Sequence, residues 1–236
     1  MTDQISDMAV VIPCHAGDIQ AIVPFFDWCK TLKPGIAAPW FLYAEQTVLS
    51  LFDNKLDKQL TWRPSRWSRI TFPGKSVPPF WPHMPNRMFA HLPKVRALPA
   101  WYLWLELDSV PLRKGWLRTI YESFNRKADY SAFPKLGRSI PHYSGTGVYR
   151  KESFIGFEAS KAPLKPSGRG WHGRVPFDVA VHRLKYKAAP LDCIVCWTRG
   201  RSDKHKPRWR RFIGTKRVLF HGYRLRPGEK LPKVLC

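Results

Sequence analysis

Acidic residues are scarce in this chain, with seventeen Asp and Glu among 236 residues against forty Lys and Arg, for a formal charge of +23. Long hydrophobic runs are missing too. The longest, Ala97 to Leu105, has nine residues and contains Pro99, whereas a membrane-spanning helix needs about 20. The opening residues Met1 to Val11 carry two acids and no basic stretch, so no secretory leader is expected. Cysteine is sparse: five residues, an odd number, scattered along the chain. That excludes a disulfide framework and points to reduced thiols in a cytosol. There is no internal repeat and no low-complexity segment. Pro73-Gly74-Lys75-Ser76 has the tail of a phosphate-binding P-loop, but Arg69 stands where the loop needs glycine, which excludes a kinase or NTPase reading. Cys193-Ile-Val-Cys196 has zinc-knuckle spacing without a second such pair, so buried thiols are expected rather than a structural zinc.

What is present suffices for a packed interior. Hydrophobic residues make up 44% of the chain and aromatics 14%, which excludes wholesale disorder, coiled coil and collagen-like repeats. The length suits one large domain, or two small ones sharing a core. The charge is uneven: residues 161–236 hold twenty Lys/Arg and four acids, whereas residues 1–160 hold twenty and thirteen. The front two-thirds therefore reads as an ordinary globular core, and the back third as a loop-rich surface facing a polyanion such as nucleic acid, anionic membrane or a phosphorylated substrate.

Met8-Ala9-Val10-Val11-Ile12, ended by Pro13, reads as a strand buried on both faces of a mostly parallel sheet. A polar turn and a helix over Ile19 to Thr31 are expected to follow, with Asp18 as N-cap. Trp40 to Ala44 reads as a second strand and Thr47 to Leu56 as a second helix. Residues 61–85, rich in Pro and Trp, read mostly as loop, and Asn86 to Leu98 as a helix interrupted by Pro93. Trp101 to Leu105 is the strongest central strand. Beyond it, helices are expected over Gly115 to Asn125 and Val175 to Lys187, and strands over Ala128 to Phe133, Thr146 to Tyr149 and Arg217 to Phe220. Strands alternating with helices over the first 130 residues indicate an α/β layered fold.

The strand at Trp101 runs into Glu106-Leu107-Asp108. Strand alternation would project both carboxylates to one side, at the carboxyl end where open α/β sheets bind ligands. Two such acids repel unless a cation or a sugar hydroxyl lies between them, and hard divalent ions such as Mg²⁺ or Mn²⁺ take carboxylate oxygens. The bland alternative is a strand end with solvated acids. Gly145-Thr146-Gly147 would let a backbone approach a sugar or acceptor closely, or be a plain tight turn. Asp178 and His182, four residues apart, would share a face of a helix, the Asp alternatively capping the helix or pairing with a cation. Seven Lys/Arg and two Trp fall within Trp197 to Arg211. There Arg199, Arg201, Arg208, Arg210 and Arg211 would neutralise phosphates while Trp197 and Trp209 stack on bases. Trp62 to Arg69 repeats the interleaving on a smaller scale.

The phrase LWLELDSVPLRKGWL resembles the acid-x-acid region of GT-A-type glycosyltransferases, and VVIPCHAGD resembles the first strand and nucleotide-binding turn of the same fold. The likeness extends loosely to the Ser144 to Tyr149 segment and to Phe220-His221-Gly222. It implies a GT-A-like, Rossmann-like α/β domain with a mixed, mostly parallel central sheet flanked by helices. It also implies a nucleotide-sugar donor and a divalent metal, Mn²⁺ or Mg²⁺. Carried over residue by residue, Glu106 stands where Asp is commoner, near the ribose or donor sugar and the metal. Asp108 takes the metal-ligating position and His221 the late histidine that completes the site. Pro13, His15 and Asp18 fall where the fold contacts the nucleotide base, and Asp178 would serve as the late acid acting on the acceptor hydroxyl. Gly145, Gly147, His182 and the basic-aromatic run would face the acceptor. Small size, no anchor and high positive charge fit the bacteriophage enzymes that glycosylate the hydroxyl of 5-hydroxymethylated pyrimidines in DNA, in a host cytoplasm. A peripheral enzyme acting on lipopolysaccharide or another envelope glycan, and a non-catalytic nucleic-acid-binding protein, are the alternatives.

Overall fold

Apolar runs without polar alternation need cover on both faces, and the fold supplies it. The structure is a computed structural model that describes residues 3–73, 80–135, 142–162, 175–196 and 212–221. Strand β1 (Met8–Cys14) is followed by a 3-10 turn (Ala16–Ala21), helix α1 (Ile22–Leu32), β2 (Pro39–Glu45), α2 (Gln46–Leu51), β3 (Arg66–Phe72) and α3 (Phe80–His91). Then come β4 (Trp101–Trp104), β5 (Ser109–Pro111), α4 (Trp116–Ser123), β6 (Tyr130–Lys135), β7 (His142–Arg150), α5 (Phe177–Arg183), β8 (Ala188–Pro190), β9 (Ile194–Cys196) and β10 (Leu219–His221). Seven strands form one sheet in the order β3-β2-β1-β4-β7-β6-β8, and β5-β10-β9 form a small second sheet. All pairs in the large sheet are parallel except those of β7 with β4 and β6.

Side-chain alternation divides the interior into two layers. Met8, Val10 and Ile12 of β1, with Trp101 and Leu103 of β4, pack against Phe25, Phe26 and Cys29 of α1 and Trp116 and Ile120 of α4. Ala9, Val11, Tyr102 and Trp104 face the other way, toward Met88 and Phe89 of α3 and Phe177 and Val181 of α5. Strands from the last third join sheets begun earlier: β8 pairs with β6, and β10 with β5.

Several local expectations change. Residues 61–85 hold a full strand, β3, hidden from the sequence because it is the sheet edge: Arg66, Ser68, Arg69 and Thr71 are exposed, the polar habit that keeps an edge from pairing with other chains. The interleaved tryptophans and arginines of Trp62 to Arg69 part company: the tryptophans turn inward and the arginines stay at the surface, where two of them pair with acids. Trp62 and Trp67 pack on the core beside Phe26. Arg63 pairs with Asp57 at 3.0 Å, and Arg69 with Asp53 and Asp57 at 2.8 and 3.2 Å. Helix α3 begins six residues before Asn86 and carries Pro85 within it. Pro93 sits in a 3-10 turn beyond its end. The first helix is divided between a 3-10 turn and α1, and the turn is capped by His15, whose Nδ1 accepts from the Gly17 N–H at 3.2 Å. Asp18 lies inside that turn and is not its cap. Among the described cysteines no disulfide forms, and burial pushes the Cys193 thiol up to about 11.

Gly147 lies in mid-strand, not in a turn. A Cβ there would come within 2.7 Å of both the Ala132 Cβ and the Ser131 carbonyl oxygen across the β6–β7 pair. Gly147→Ala should therefore lower the unfolding free energy by about 1–3 kcal/mol, read as a reduced urea midpoint at constant m-value. An unchanged midpoint would mean that β6 and β7 part without cost.

Candidate active site

The strand order fixes where a ligand can enter. From β1 the chain builds outward through β2 to β3, then returns to place β4 on the other side of β1. The two connections leave the carboxyl ends of β1 and β4 in opposite directions, and a crevice opens between them. A cavity of about 210 Å³ occupies this crevice, and Pro13, His15 and Asp18 from the end of β1 line it together with Glu106 and Asp108 from beyond β4.

The two acids reach the cavity by a turn rather than by strand alternation. Strand β4 ends at Trp104, and the Ser109 N–H donates to the Glu106 carbonyl at 2.9 Å, closing a four-residue turn before β5 begins. Both carboxylates are half-buried. The Trp104 Nε1–H donates to Glu106 Oε1 at 3.2 Å. Gly145 of β7 lies alongside: a Cβ there would sit 2.9 Å from Glu106 Oε1 and 3.1 Å from Phe177 Cζ. The bare Gly145 thus makes room for the Glu106 carboxylate. Buried Ser109 and Thr146 hydroxyls, 3.2 Å apart, tie the turn to β7.

On the opposite wall His15 Nε2 lies 2.7 Å from Asp18 Oδ2, with side-chain exposures of 40% and 12%. The Gly17 N–H fills Nδ1, so the ring proton sits on Nε2 and is donated to Asp18. The carboxylate beneath therefore locks the imidazole at the rim. His221, in β10, is in register with Ser109 and with Cys196, so its backbone runs beside the residue that follows Asp108. Among the described residues no group of three His, Cys, Asp or Glu side chains converges as a metal cage. The donor set of Glu106 and Asp108, hard oxygens on one cavity wall, nonetheless suits Mg²⁺ or Mn²⁺, ions that keep other positions for waters or phosphates.

Backbone comparison identifies the architecture. The chain superposes on the galactosyltransferase LgtC, solved with donor and acceptor sugar analogues, with a TM-score of 0.55 at 10% identity over 91% of this chain and 86% of that one. It matches apo GlyE, a glycosyltransferase of Streptococcus pneumoniae, at 0.57 and 12% identity over 95% of this chain and 57% of GlyE. Mouse xyloside xylosyltransferase 1 matches at 0.51 and 9% identity over 92% and 98%. The fold is GT-A. No family model matches the chain, and no curated protein does. Identity near one residue in ten carries the GT-A fold and not the chemistry.

The remaining candidates distribute unevenly over the GT-A fold. Asp178 is buried in the first turn of α5, where the Val179 N–H donates to its Oδ1 at 3.0 Å. His182, one turn later, is exposed; Asp178 and His182 do not share a buried face. Trp197, Arg199, Arg201, Arg208, Trp209, Arg210 and Arg211 lie outside the described residues. Sequence reasoning missed Trp104, Pro85 and Met88, which also line the cavity. Trp104 was legible as the last aromatic of the apolar run, two positions before Glu106, whose carboxylate its indole meets. Pro85 and Met88 had no such signal.

Glu106 and Asp178 both act on a layer of buried tyrosines. The Tyr149 hydroxyl donates to the Gly145 carbonyl at 2.6 Å and stacks on Tyr130 and Tyr102. Burial raises its pKa first, and Tyr130, Asp178, Tyr102 and Glu106 add to the effect. Burial likewise raises Tyr43, Tyr102 and Tyr130. The folded protein keeps these protons above about pH 10, where an unfolded chain releases them. Stability should therefore be complete below that pH and fall above it. In an ultraviolet titration these four tyrosines should ionise only as the far-ultraviolet dichroism is lost. Ionisation of all eight tyrosines near pH 10 in a folded protein would contradict this.

Proposed function

We propose that the chain is a metal-dependent glycosyltransferase that moves a sugar from a nucleotide-sugar donor, a UDP-sugar, onto a hydroxyl of modified DNA. The observation that carries this reading is that Pro13, His15 and Asp18, far from Glu106 and Asp108 in sequence, line one cavity with them at the switch point of the sheet. A cavity with an orienting His–Asp couple on one wall and paired carboxylates on the other suits a ligand with a polar base at one end and a charged diphosphate at the other.

In this reading His15, held by Asp18, presents its ring to the base. Glu106, held by the Trp104 indole, accepts from hydroxyls of the ribose or donor sugar. Asp108, with Glu106 and the adjacent His221, would hold the divalent ion. When bound, that ion offsets the negative charge developing on the departing nucleoside diphosphate. Asp178, next to Phe177 in the first turn of α5, is the carboxylate proposed for the acceptor side, as base or as anchor for the attacking hydroxyl. The DNA acceptor rests on the back third, where twenty Lys/Arg face four acids. Reaching a base hydroxyl in a duplex requires pulling the base from the stack, at a cost of a few kcal/mol that phosphate contacts and stacking offset.

The test is a donor screen: Mn²⁺, a panel of UDP- and GDP-sugars, and nucleotide release measured with and without hydroxymethylated DNA. Release should require metal, rise with the DNA, and drop by about 10²-fold or more in Asp108→Ala, which should still bind DNA. Equal turnover in wild type and Asp108→Ala would sink the proposal. Duplex DNA binding should also weaken by about 10³-fold or more between roughly 50 and 200 mM salt. Salt-insensitive binding would overturn the polyanion argument, and sedimentation with anionic liposomes in place of a DNA shift would move the acceptor to an envelope glycan.

A further inference from the structure

Helix α3 forms a wall of two cavities. Pro85 and Met88 face the candidate active site. At about 100° per residue, Arg87 and His91 fall on another side of the helix, in line with Lys94 in the 3-10 turn that follows. These three line a second cavity, of about 330 Å³, together with Phe72, Phe157 and Glu158. Its size is within the range of ligand pockets.

We propose that this second cavity binds a phosphate group through Arg87, His91 and Lys94. Three nitrogen-bearing side chains on successive turns call for an anion with more than two acceptor oxygens, which a carboxylate lacks and a phosphate has. The Arg87 guanidinium lies 5.4 Å from the centre of the Phe72 ring, a contact that steadies it. Glu158, the acid on the rim, pairs with Lys161 at 3.0 Å, so its charge is already answered. Arg87 and Lys94 bring two positive charges to the cavity, against the one carboxylate, Glu158, among the described residues that line it.

His91 is built to respond to an anion. The Tyr43 hydroxyl donates to the Met88 carbonyl at 3.1 Å, so its 2.8 Å bond to His91 Nδ1 takes the proton from the ring. Proton uptake is then left to Nε2. Burial first, and Lys94 second, lower the His91 pKa. A phosphate would favour the charged ring, so binding takes up a proton and tightens as pH falls. Among the described residues, the charged and titratable groups around the ring are Arg87, Lys94, Tyr43 and Glu158 with its partner Lys161. The site stands apart from the sugar-transfer reading, since it shares no side chain with the first cavity.

The test follows the His91 ring resonances by NMR against pH, in the full-length protein, in sodium chloride and in sodium phosphate of equal ionic strength. The midpoint should rise by about one pH unit in phosphate, as for an opposite charge at contact distance. Asp108→Ala should keep that rise. The double variant Arg87→Gln/Lys94→Gln removes two exposed side chains and should lose the rise with an unchanged circular dichroism spectrum. A short 5′-phosphorylated oligonucleotide and phosphatidic acid vesicles, both of which present a phosphomonoester, run in the same way, identify whether the phosphate belongs to nucleic acid or lipid; a response to inorganic phosphate alone makes the ligand a small phosphate. The same midpoint in both salts, or a rise that survives the double variant, overturns the proposal.

Discussion

The bond from the Ser109 N–H to the Glu106 carbonyl ends β4 and starts β5. This turn carries two carboxylates to the cavity and links the seven-stranded sheet to the three-stranded one. Its base is held on both sides. The Leu105 N–H donates to the Val11 carbonyl at 2.9 Å, continuing the β1–β4 ladder one residue past the strand. Beyond the turn, β5 pairs with β10, whose last residue, His221, comes beside Ser109.

Beneath the turn lies an aromatic layer rather than a polar one. Phe89 stacks on Phe177 at 4.5 Å, Trp104 meets Phe177 edge-on at 5.4 Å, and Tyr149 stacks between Tyr102 and Tyr130. Such a floor excludes water and strengthens electrostatic interactions at its edge. The carboxylates of Glu106 and Asp178 are therefore felt at the Tyr149 hydroxyl. The layer also explains the glycine in β7: with Phe177 and Glu106 both pressed against Gly145, any side chain there would displace one or the other.

One basic and aromatic segment serves the fold itself. At Trp62 to Arg69 the tryptophans fill the core and the arginines answer Asp53 and Asp57. Interleaving of Arg and Trp is thus not in itself a nucleic-acid signal; what decides is whether acids lie within reach. In residues 161–236 only four acids stand against twenty cations, the excess on which the proposed DNA acceptor rests.

The central strands, and the acids that follow the fourth, were readable from the chain alone. Burial on both faces shows as an unbroken apolar run, as in Met8 to Ile12 and Trp101 to Leu105, and a helix shows in its own spacing; both are local properties spanning a few residues. The polar edge strand β3 escaped that logic because an edge has only one neighbour to satisfy. The meeting of His15 and Asp18 with Glu106 and Asp108, the seat of Gly145 against Glu106, and the sharing of α3 between two cavities were decided by tertiary structure. Each depends on strand order and crossover direction, which are set by packing between segments far apart in the chain and leave no mark on the residues between them.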